Sequence, residues 1–452
     1  MKSNLLRTFS LLFLFTTCAR AETERDARMA WWREARFGMF VTYGLYSSLA
    51  GTWNGKPVPG DHNFEHAQRL VDADTYTYSA ATIPGFRPKQ DFATAWAKLA
   101  RKAGCQYVVF TTKFHDGFAL HDSKLTQFDA GDILNRDLVK EITESLRKEG
   151  LRVGFYHSVI DWHHPQYDYT KATTPSYPKE GMRMTPGPRD HKRYVEFLHG
   201  QVDELMSNYG KVDIVWWDYS SFGFDGDAAW QAGDLMRMCR EKQPQIIMNN
   251  RLFRRPEAGF NMNGGADISR PLDVKFGDFA TPEQHVPNAF DAKMDWETCM
   301  TINNTWGYSE HDKNWKTPET IIRTLIDITS KGGNFLLNIG PTGDGSIPQP
   351  SIDIMTAVGK WMNTNAEAIR GTTRSPVGLP EFDGRITVKG KSHYVHLFSR
   401  PSNGRIAVEF HGSKATLLDG GDSLQISRDG KQTIIHLPPT LPDAIATVIV
   451  LE

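Results

Sequence analysis

The chain has 452 residues, of which 40% are hydrophobic and 23% are charged, proportions of an ordinary globular protein that is long enough for one large domain and a smaller one. Its 52 Lys and Arg residues nearly balance 53 Asp and Glu residues, so the net charge of −1 gives no basis for binding nucleic acid or an anionic membrane. Its four cysteines are too few and too widely spaced for a disulfide scaffold, and we predict that Cys105, Cys239 and Cys299 are small buried residues with at most one bridge.

The first 21 residues have the features of a secretory signal peptide. Two basic residues precede an apolar stretch at residues 11–15, and Ala19-Arg20-Ala21 is a small-x-small cleavage site. We expect cleavage after Ala21 and export to the periplasm or the medium. Lipidation at Cys18 is not expected, because Phe15-Thr16-Thr17 is a poor context for it. No apolar run is long enough to span a membrane as a mature helix, so we predict no membrane span.

Strand and helix patterns alternate from about Trp31 to Ala368. Short apolar, β-branched and aromatic runs predict strands at residues 37–41, 107–111, 153–156, 212–217, 246–248 and 335–337. Helical patterns that each end before a capping glycine lie at residues 92–103, 137–149, 194–209 and 317–331. Repeated units of this kind predict a parallel sheet with right-handed crossovers, and we favour a (β/α) TIM-like barrel over an open doubly wound sheet.

The pattern changes after about Thr372. Apolar and polar residues alternate at residues 384–397 and 405–410, and turn signals such as Asp429-Gly430 recur. This predicts a small antiparallel β-sandwich. The predicted organisation is therefore a signal peptide at residues 1–21, a catalytic (β/α) barrel domain at residues 22–371 and a C-terminal β-sandwich domain at residues 372–452.

Polar residues follow five of the predicted barrel strands. They are His115, His157, Asp218, Arg251 and Asn338. In a barrel of parallel strands, the C-terminal strand ends share one face, and active sites lie there. Any one of these residues is compatible with a structural role, but five together indicate a shared pocket.

The motifs narrow the chemistry of that pocket by elimination. There is no His-Glu-x-x-His, and His163-His164 have no third ligand at zinc spacing, so we predict no metal site. Residues 340–345 have their glycines in the reverse order of the dinucleotide fingerprint and do not lead into a helix, so we interpret them as a loop. No Gly-x-Ser-x-Gly nucleophile elbow is present.

After these exclusions, the remaining candidates for chemistry in the pocket are carboxylates that lie beside aromatic residues and histidines. They are typical of a glycosidase, which needs one carboxylate as nucleophile or base and one carboxyl group as acid. Asp218 is the candidate for the first role. The second has to come from a later loop, where Glu283 and Glu297 are the candidates.

Several stretches of the chain are similar to motifs of one known family. They are Arg36-Phe37-Gly38-Met39-Phe40, Tyr43-Gly44-Leu45-Tyr46, His115-Asp116-Gly117-Phe118, Trp296-Glu297-Thr298-Cys299, Trp306-Gly307-Tyr308 and the highly specific run N-F-L-L-N-I-G-P-T-G-D-G-S-I-P at residues 334–348. On these motifs the chain resembles the α-L-fucosidases of glycoside hydrolase family 29 over nearly its whole mature length.

The resemblance implies a secreted retaining exo-glycosidase that acts on fucosylated glycans without a cofactor. Asp218 matches the nucleophile, and Glu283 is our assignment for the general acid/base. Glu297 is the runner-up, and we interpret it as a structural carboxylate near an expected helix start. The implied substrate-binding residues are His115, His157, Trp306, Glu65, Tyr43 and Trp53. The oligomeric state stays open.

Two departures from the family pattern concern the sugar. The family has His-Trp where this chain has Thr42-Tyr43, and Phe114 replaces the first histidine of its His-His-Asp-Gly motif. Those histidines help to read an axial hydroxyl, and an unpaired hydroxyl costs about 1–3 kcal/mol. The alternatives are therefore a glycosidase on the same scaffold for a different or decorated L-sugar, and a non-catalytic carbohydrate-binding protein.

Overall fold

The computed structural model of the chain describes residues 23–60, 63–168, 189–261 and 265–452. The predicted signal peptide lies outside the described residues. Within these ranges, no helix is both long enough and apolar enough to cross a membrane.

Seven parallel strands form the main sheet. In chain order the first nine strands are β1 (Phe37–Val41), β2 (Thr52–Trp53), β3 (Lys56–Pro57), β4 (Tyr107–Lys113), β5 (Arg152–Ser158), β6 (Ile214–Asp218), β7 (Ile247–Met248), β8 (Glu297–Thr301) and β9 (Asn334–Ile339). The strands β2 and β3 form a short hairpin, and the others pair in the order β7-β6-β5-β4-β1-β9-β8. All six predicted strands are confirmed within three residues at their ends, and β8 is an addition to them.

The segment at residues 278–284 joins the two edge strands of this sheet. On one side, the backbone N–H of Asp278 donates to Met248 O at 2.7 Å. On the other side, the backbone N–H of Cys299 donates to Pro282 O at 3.1 Å. Because both edges bond to the same segment, the sheet curls into a barrel, and the barrel prediction is confirmed over the open doubly wound sheet.

Helices precede, connect and follow the barrel strands. They are α1 (residues 23–35), α2 (Ala67–Leu70), α3 (Thr75–Thr82), α4 (Phe92–Ala103), α5 (Ala130–Leu134), α6 (Leu138–Lys148), α7 (His191–Asn208), α8 (Gly226–Trp230), α9 (Ala232–Lys242), α10 (Pro318–Ser330) and α11 (Gln349–Asn365). The four predicted helices are confirmed as α4, α6, α7 and α10 within three residues at each end. Gly104 caps α4 in the left-handed conformation, at φ 90°, which a glycine adopts without strain.

Side chains of the barrel strands alternate between two cores. On β6, Ile214 and Trp216 belong to the cluster inside the barrel, whereas Val215 and Trp217 pack into the larger core that includes the helices. Asp218 has the same parity as Trp216. The interior face of β6 therefore directs the Asp218 carboxylate toward the mouth of the barrel.

The C-terminal part of the chain is an antiparallel β-sandwich. Its strands are β10 (Gly384–Lys389), β11 (Ser392–Leu397), β12 (Arg405–Val408), β13 (Ala415–Leu417), β14 (Ser423–Leu424), β15 (Ile426–Asp429), β16 (Gln432–His436) and β17 (Thr447–Leu451). They form a sheet in the order β10-β11-β17-β13-β14 and a sheet in the order β12-β16-β15. Ile386, Val395, Ile435 and Ile449 belong to one buried cluster that joins the two sheets. The predicted sandwich is confirmed, while the domain limit between residues 371 and 372 stays a prediction.

The three cysteines of the described residues are buried and free. Cys105, Cys239 and Cys299 make no disulfide, which agrees with their prediction as small core residues. Burial raises the pKa of each thiol, so all three stay in the neutral form.

Candidate active site

A pocket of about 480 Å³ lies at the C-terminal ends of the barrel strands. Its lining includes Thr42 after β1, Phe114 and His115 after β4, Asp218 at the end of β6 and Arg251 after β7. This is the barrel face on which the strand-end residues predict a shared pocket. Its volume is within the usual range of about 300–1,000 Å³ for small-molecule sites.

Asp218 is held by a different donor at each carboxylate oxygen. Tyr156 Oη donates to Oδ2 at 2.8 Å, and Arg251 Nη1 donates to Oδ1 at 2.9 Å. The Asp218 side chain is 16% exposed, so it is open to the pocket but mostly shielded from solvent. Two donors fix the plane of the carboxylate, which is the preorganisation that a nucleophile needs.

The Arg251 guanidinium bridges Asp218 and Glu283. Its second terminal nitrogen, Nη2, donates to Glu283 Oε2 at 2.6 Å. Glu283 lies on the segment at residues 278–284 that closes the barrel, and its side chain is 42% exposed. The barrel therefore brings the predicted nucleophile and the predicted acid/base into one pocket, where the guanidinium of Arg251 lies between them.

The position of Arg251 is itself fixed. Its Nε donates to Thr281 Oγ1 at 2.7 Å, and its guanidinium lies over the ring of Trp216 at 4.4 Å from the ring centre. Burial lowers the pKa of Arg251, but the Glu283 and Asp218 carboxylates outweigh burial and raise this pKa well above its usual value. Arg251 thus remains a permanent positive charge between the two carboxylates.

The residue after each of the two carboxylates has a left-handed backbone. Tyr219 follows Asp218 with φ 79°, and Gln284 follows Glu283 with φ 58°. Such conformations cost non-glycine residues about 1–3 kcal/mol and persist where the surrounding structure enforces them. Their coincidence at both carboxylates is a structural signature of a functional site that the residue types do not reveal.

Glu65 lies at the buried side of the pocket. It is 3% exposed, and its Oε2 has no hydrogen-bond partner among the described residues. Burial raises the pKa of Glu65 to about 8, even though backbone N–H groups act in the opposite direction. Its carboxyl group is therefore largely protonated at neutral pH and can donate a hydrogen bond to a ligand in the pocket.

His115 is a neutral imidazole in this pocket. Burial, together with the charges of Lys113 and Arg69, holds the pKa of His115 well below its usual value. The Ser158 hydroxyl donates its proton to Ile160 O, so His115 Nδ1, at 2.7 Å from Ser158 Oγ, acts as the donor between them. This assigns the Nε2 of His115 as a hydrogen-bond acceptor.

Thr42 and Phe114 line the pocket at the two positions that depart from the family pattern. Thr42 Oγ1 donates to Asn338 Oδ1 at 2.6 Å, so its proton is already used inside the protein. The Phe114 ring packs against the ring of His115 at 4.0 Å and edge-on against Tyr46 at 4.8 Å. The pocket is therefore less polar here than two histidines would make it. Trp306, also predicted at the substrate, lines the same pocket.

Three predicted substrate-binding residues are not among those that line the pocket. His157 has the opposite parity to Tyr156 on β5, and its Nδ1 lies 3.0 Å from Thr112 Oγ1. Tyr43 is fully buried, and its hydroxyl donates to Gly343 O at 3.1 Å. Trp53 lies in the hairpin of β2 and β3.

Glu297 lies inside the barrel rather than at the pocket. It accepts hydrogen bonds from Tyr107 Oη at 2.5 Å and from the indole N–H groups of Trp216 and Trp32 at 3.2 and 3.3 Å. Burial raises its pKa to about 7, against the effect of these donors. The expectation of a nearby helix start is wrong, because Glu297 is the first residue of strand β8. Glu297 shares a face of β8 with Cys299, which belongs to the cluster inside the barrel, and this accounts for its inward direction.

Several pocket residues have no prediction from the sequence. Tyr156, Trp216 and Arg254 line the pocket, as do Ser221 and Phe222 in the loop after Asp218. The parity of Tyr156 and Trp216 is a usable signal once the interior face of each strand is known. For the loop residues no periodic pattern exists, so the sequence carries no comparable signal.

Comparison with known proteins adds an independent line of evidence. The family model described as Alpha-L-fucosidase matches residues 16–367 of the chain. Among solved structures, α-L-fucosidase isoenzyme 1 from Paenibacillus thiaminolyticus is 37% identical with a TM-score of 0.82, covering 95% of this chain and 99% of that one. Human tissue α-L-fucosidase is 29% identical over 438 residues, covering 92% of this chain and 86% of that one.

A further relative is a family 29 α-L-fucosidase from Bacteroides thetaiotaomicron. It is 28% identical with a TM-score of 0.80, covering 94% of this chain and 96% of that one. Its structure is that of a trapped covalent intermediate with 2-fluoro-fucosyl fluoride, obtained with a glutamate-to-glutamine variant.

Proposed function

This chain belongs to the α-L-fucosidase family of glycoside hydrolases, and we propose that it is a retaining exo-α-L-fucosidase that removes terminal fucosyl residues from glycans by double displacement. One observation carries the residue assignment. Asp218 and Glu283 accept hydrogen bonds from the same Arg251 guanidinium at 2.9 and 2.6 Å in the pocket at the barrel mouth. Two carboxyl groups that flank one site are the equipment of this reaction.

In the first step, Asp218 attacks the anomeric carbon of the bound sugar. The C–O bond to the leaving group breaks, and Glu283 transfers its proton to the departing oxygen. Arg251 and Tyr156 orient the Asp218 carboxylate for in-line attack. The exposure of Glu283 gives its side chain room to turn from Arg251 toward the leaving oxygen.

In the second step, water resolves the glycosyl ester of Asp218. Glu283 now takes a proton from the water as it attacks the anomeric carbon, and the ester bond breaks to return the Asp218 carboxylate. Two inversions give overall retention. The covalent intermediate of the Bacteroides relative supports this course for a chain that is 28% identical to it.

An exo mode of action is supported by the shape of the pocket. Its inner side is closed by residues that are nearly fully buried, among them Glu65 at 3% and His115 at 1% exposure. Such a pocket holds one terminal residue and leaves the rest of the glycan at the mouth. Export to the periplasm or the medium, proposed from the features of residues 1–21, would place the enzyme where external glycans are available.

Hydrolysis of 4-nitrophenyl α-L-fucoside tests the proposal. We expect Asp218→Ala to lower kcat by at least about 10⁴-fold, since it removes the nucleophile. Glu283→Ala is expected to lower kcat by about 10²–10⁴-fold with poor leaving groups and by less with activated ones, because only poor leaving groups need the proton. NMR of the first-formed sugar should show the α-anomer. Unchanged turnover by Asp218→Ala, or a β-anomer, would refute the mechanism.

A second candidate function is hydrolysis of a different or decorated L-sugar by the same machinery. The observation that favours it is the lining of the pocket by Thr42 and Phe114, where the family has histidines. A panel of aryl glycosides of related L-sugars measures the preference directly. A kcat/KM that is highest for the plain α-L-fucoside would remove this candidate.

A further inference from the structure

Arg254 lines the pocket without a carboxylate partner. Its backbone N–H donates to Asp225, but among the described residues its guanidinium makes no side-chain hydrogen bond or ion pair and packs over the ring of Phe260 at 4.9 Å. The neighbouring arginines differ in this respect. Arg251 binds two carboxylates, and Arg255 binds Asp225 at 2.6 Å.

The other charges of the pocket compensate the charge of Arg254 only in part. Asp218 and Glu283 are both engaged by Arg251, and Glu65 is largely neutral because burial raises its pKa to about 8. Burial and the positive charge of Arg251 lower the pKa of Arg254, and the charges of Asp218 and Glu283 offset this lowering only in part. A half-buried, unpaired guanidinium is costly, and a negative charge from a ligand would offset that cost.

Arg254 lies in the pocket lining close to Glu283, the residue that we propose as the acid for the leaving group. The residues that close the inner side are buried, whereas Phe222, Tyr219 and the Glu283 side chain are 43%, 38% and 42% exposed. Arg254 is close enough to Glu283 and Tyr219 for each to act on its pKa. Because the acid protonates the leaving oxygen, the sugar that carries this oxygen sits beside Glu283 and Arg254.

The loop after Asp218 adds two further groups to this side. Phe222 presents an exposed aromatic surface to the pocket, which suits stacking against a sugar ring. The Ser221 hydroxyl is buried in the lining and has no hydrogen-bond partner among the described residues. A cation, an aromatic face and an unpaired hydroxyl are the kinds of group that bind a polar sugar.

We propose that Arg254 and Phe222 form a subsite for a leaving sugar that carries an anionic substituent, a sulfate ester or a carboxylate. Arg254 binds the anion through its unpaired N–H groups, and Phe222 stacks on the ring of that sugar. The inference rests on the proposed function and names the substrate class within it: fucosides of acidic glycans rather than of neutral ones.

Three α-L-fucosyl disaccharides of the same linkage test the subsite. Their leaving sugars are a neutral methyl galactoside, its sulfate ester and the corresponding methyl galacturonide. We expect the wild-type kcat/KM to be about 10- to 100-fold higher for at least one anionic substrate than for the neutral one, the value of one charged hydrogen-bonded contact. The sulfate and carboxylate arms show which anion the subsite takes.

Variants assign the preference to Arg254. The ratio of kcat/KM between anionic and neutral substrates is expected to fall to about 1 in Arg254→Met, and to an intermediate value in Arg254→Lys, which keeps the charge without the planar fork. Because the measured quantity is the ratio of two kcat/KM values, a general loss of activity lowers both values equally and leaves the ratio unchanged. Arg270→Gln is the control. Arg270 is an exposed arginine that pairs with Asp267 and is not among the pocket residues, so its loss should leave the ratio unchanged.

The outcomes separate the subsite from the proposed function. Failure of the wild-type enzyme to hydrolyse 4-nitrophenyl α-L-fucoside would refute the proposed function itself. Normal hydrolysis of that fucoside with equal kcat/KM for neutral and anionic disaccharides would overturn the subsite alone. A ratio that survives in Arg254→Met would also overturn it.

Discussion

Replacing Glu65 with glutamine should stabilise the protein at alkaline pH relative to the wild type. Burial raises the pKa of Glu65 to about 8, whereas a glutamate in an unfolded chain titrates near about 4.3. Below about pH 4 Glu65 is protonated in both the folded and the unfolded protein, so its ionisation does not lower the unfolding free energy. Between the two pKa values only the unfolded chain releases its proton, so the stability of the wild type falls as the pH rises.

The magnitude follows from the gap between the two pKa values. At about 1.36 kcal/mol per pH unit, the cost of Glu65 approaches about 5 kcal/mol above pH 8 and is about 1 kcal/mol at pH 5. Glutamine has nearly the same shape and does not titrate. Urea unfolding at pH 5 and pH 8.5 should therefore show the difference in unfolding free energy, Glu65→Gln minus wild type, growing by about 3–4 kcal/mol at the higher pH.

The same ionisation should appear in substrate binding. A protonated Glu65 can donate a hydrogen bond into the pocket, but its carboxylate can only accept. The KM of the wild type for 4-nitrophenyl α-L-fucoside is expected to rise above about pH 8, and the KM of Glu65→Gln should stay level across this range. Identical pH courses of stability and KM in the two proteins would refute the reasoning.

Asp116 offers a matched control for this pair of measurements. Burial raises the pKa of Asp116 to about 7, and its Oδ2 accepts a hydrogen bond from Tyr78 Oη at 3.0 Å, but Asp116 does not line the pocket. Asp116→Asn should reproduce the alkaline stabilisation while keeping the wild-type KM profile. A control that also levels the KM profile would show that the effect of Glu65 comes from stability and not from binding.

Three further substitutions probe the supports of the site. Arg251→Lys should lower kcat/KM for the aryl fucoside by about 100-fold, because an ammonium cannot bind both carboxylates and stack on Trp216; a loss below about threefold would contradict this. Tyr156→Phe should lower kcat by about tenfold through loss of the bond to Asp218, measured at substrate saturation. At pH 5, below the pKa of about 7 to which burial raises Glu297, Glu297→Gln should lower the urea unfolding free energy by about 1–3 kcal/mol, since its amide N–H₂ would face indole and phenol donors; an unchanged midpoint would count against it.

The strand that ends at Asp218 could be predicted because its composition is typical of a buried strand and of little else. The run at residues 212–217 is apolar and β-branched or aromatic, and such a run forms a barrel strand whose end faces the mouth. Which of two neighbours enters the pocket is harder. Residues 153–156 are apolar on both faces, so periodicity does not distinguish the pocket residue Tyr156 from His157, which has the opposite parity.

The route by which Glu283 reaches Asp218 could not be predicted. Glu283 lies on a barrel-closing segment that contains Pro282 and a left-handed Gln284, so it has neither strand periodicity nor strand composition. Its pairing with Cys299 and its contact with Arg251 are long-range events. The carboxylate type and its place after β7 were available from the sequence, whereas the bridging guanidinium depends on three-dimensional closure of the barrel.

The residues that hold the carboxylates differ from those that replace the family's histidines. Asp218 and Glu283 depend on Arg251, whose own supports are Thr281 and Trp216. Phe114 packs against His115 and Tyr46 on the inner side of the pocket, and its ring also stacks on Tyr156 at 6.0 Å. Neither Thr42 nor Phe114 is a hydrogen-bond partner of Asp218, whose donors are Tyr156 and Arg251. We therefore expect the choice of sugar to be separable from the proposed displacement chemistry, and for this reason the glycone panel and the Asp218→Ala measurement test separate claims.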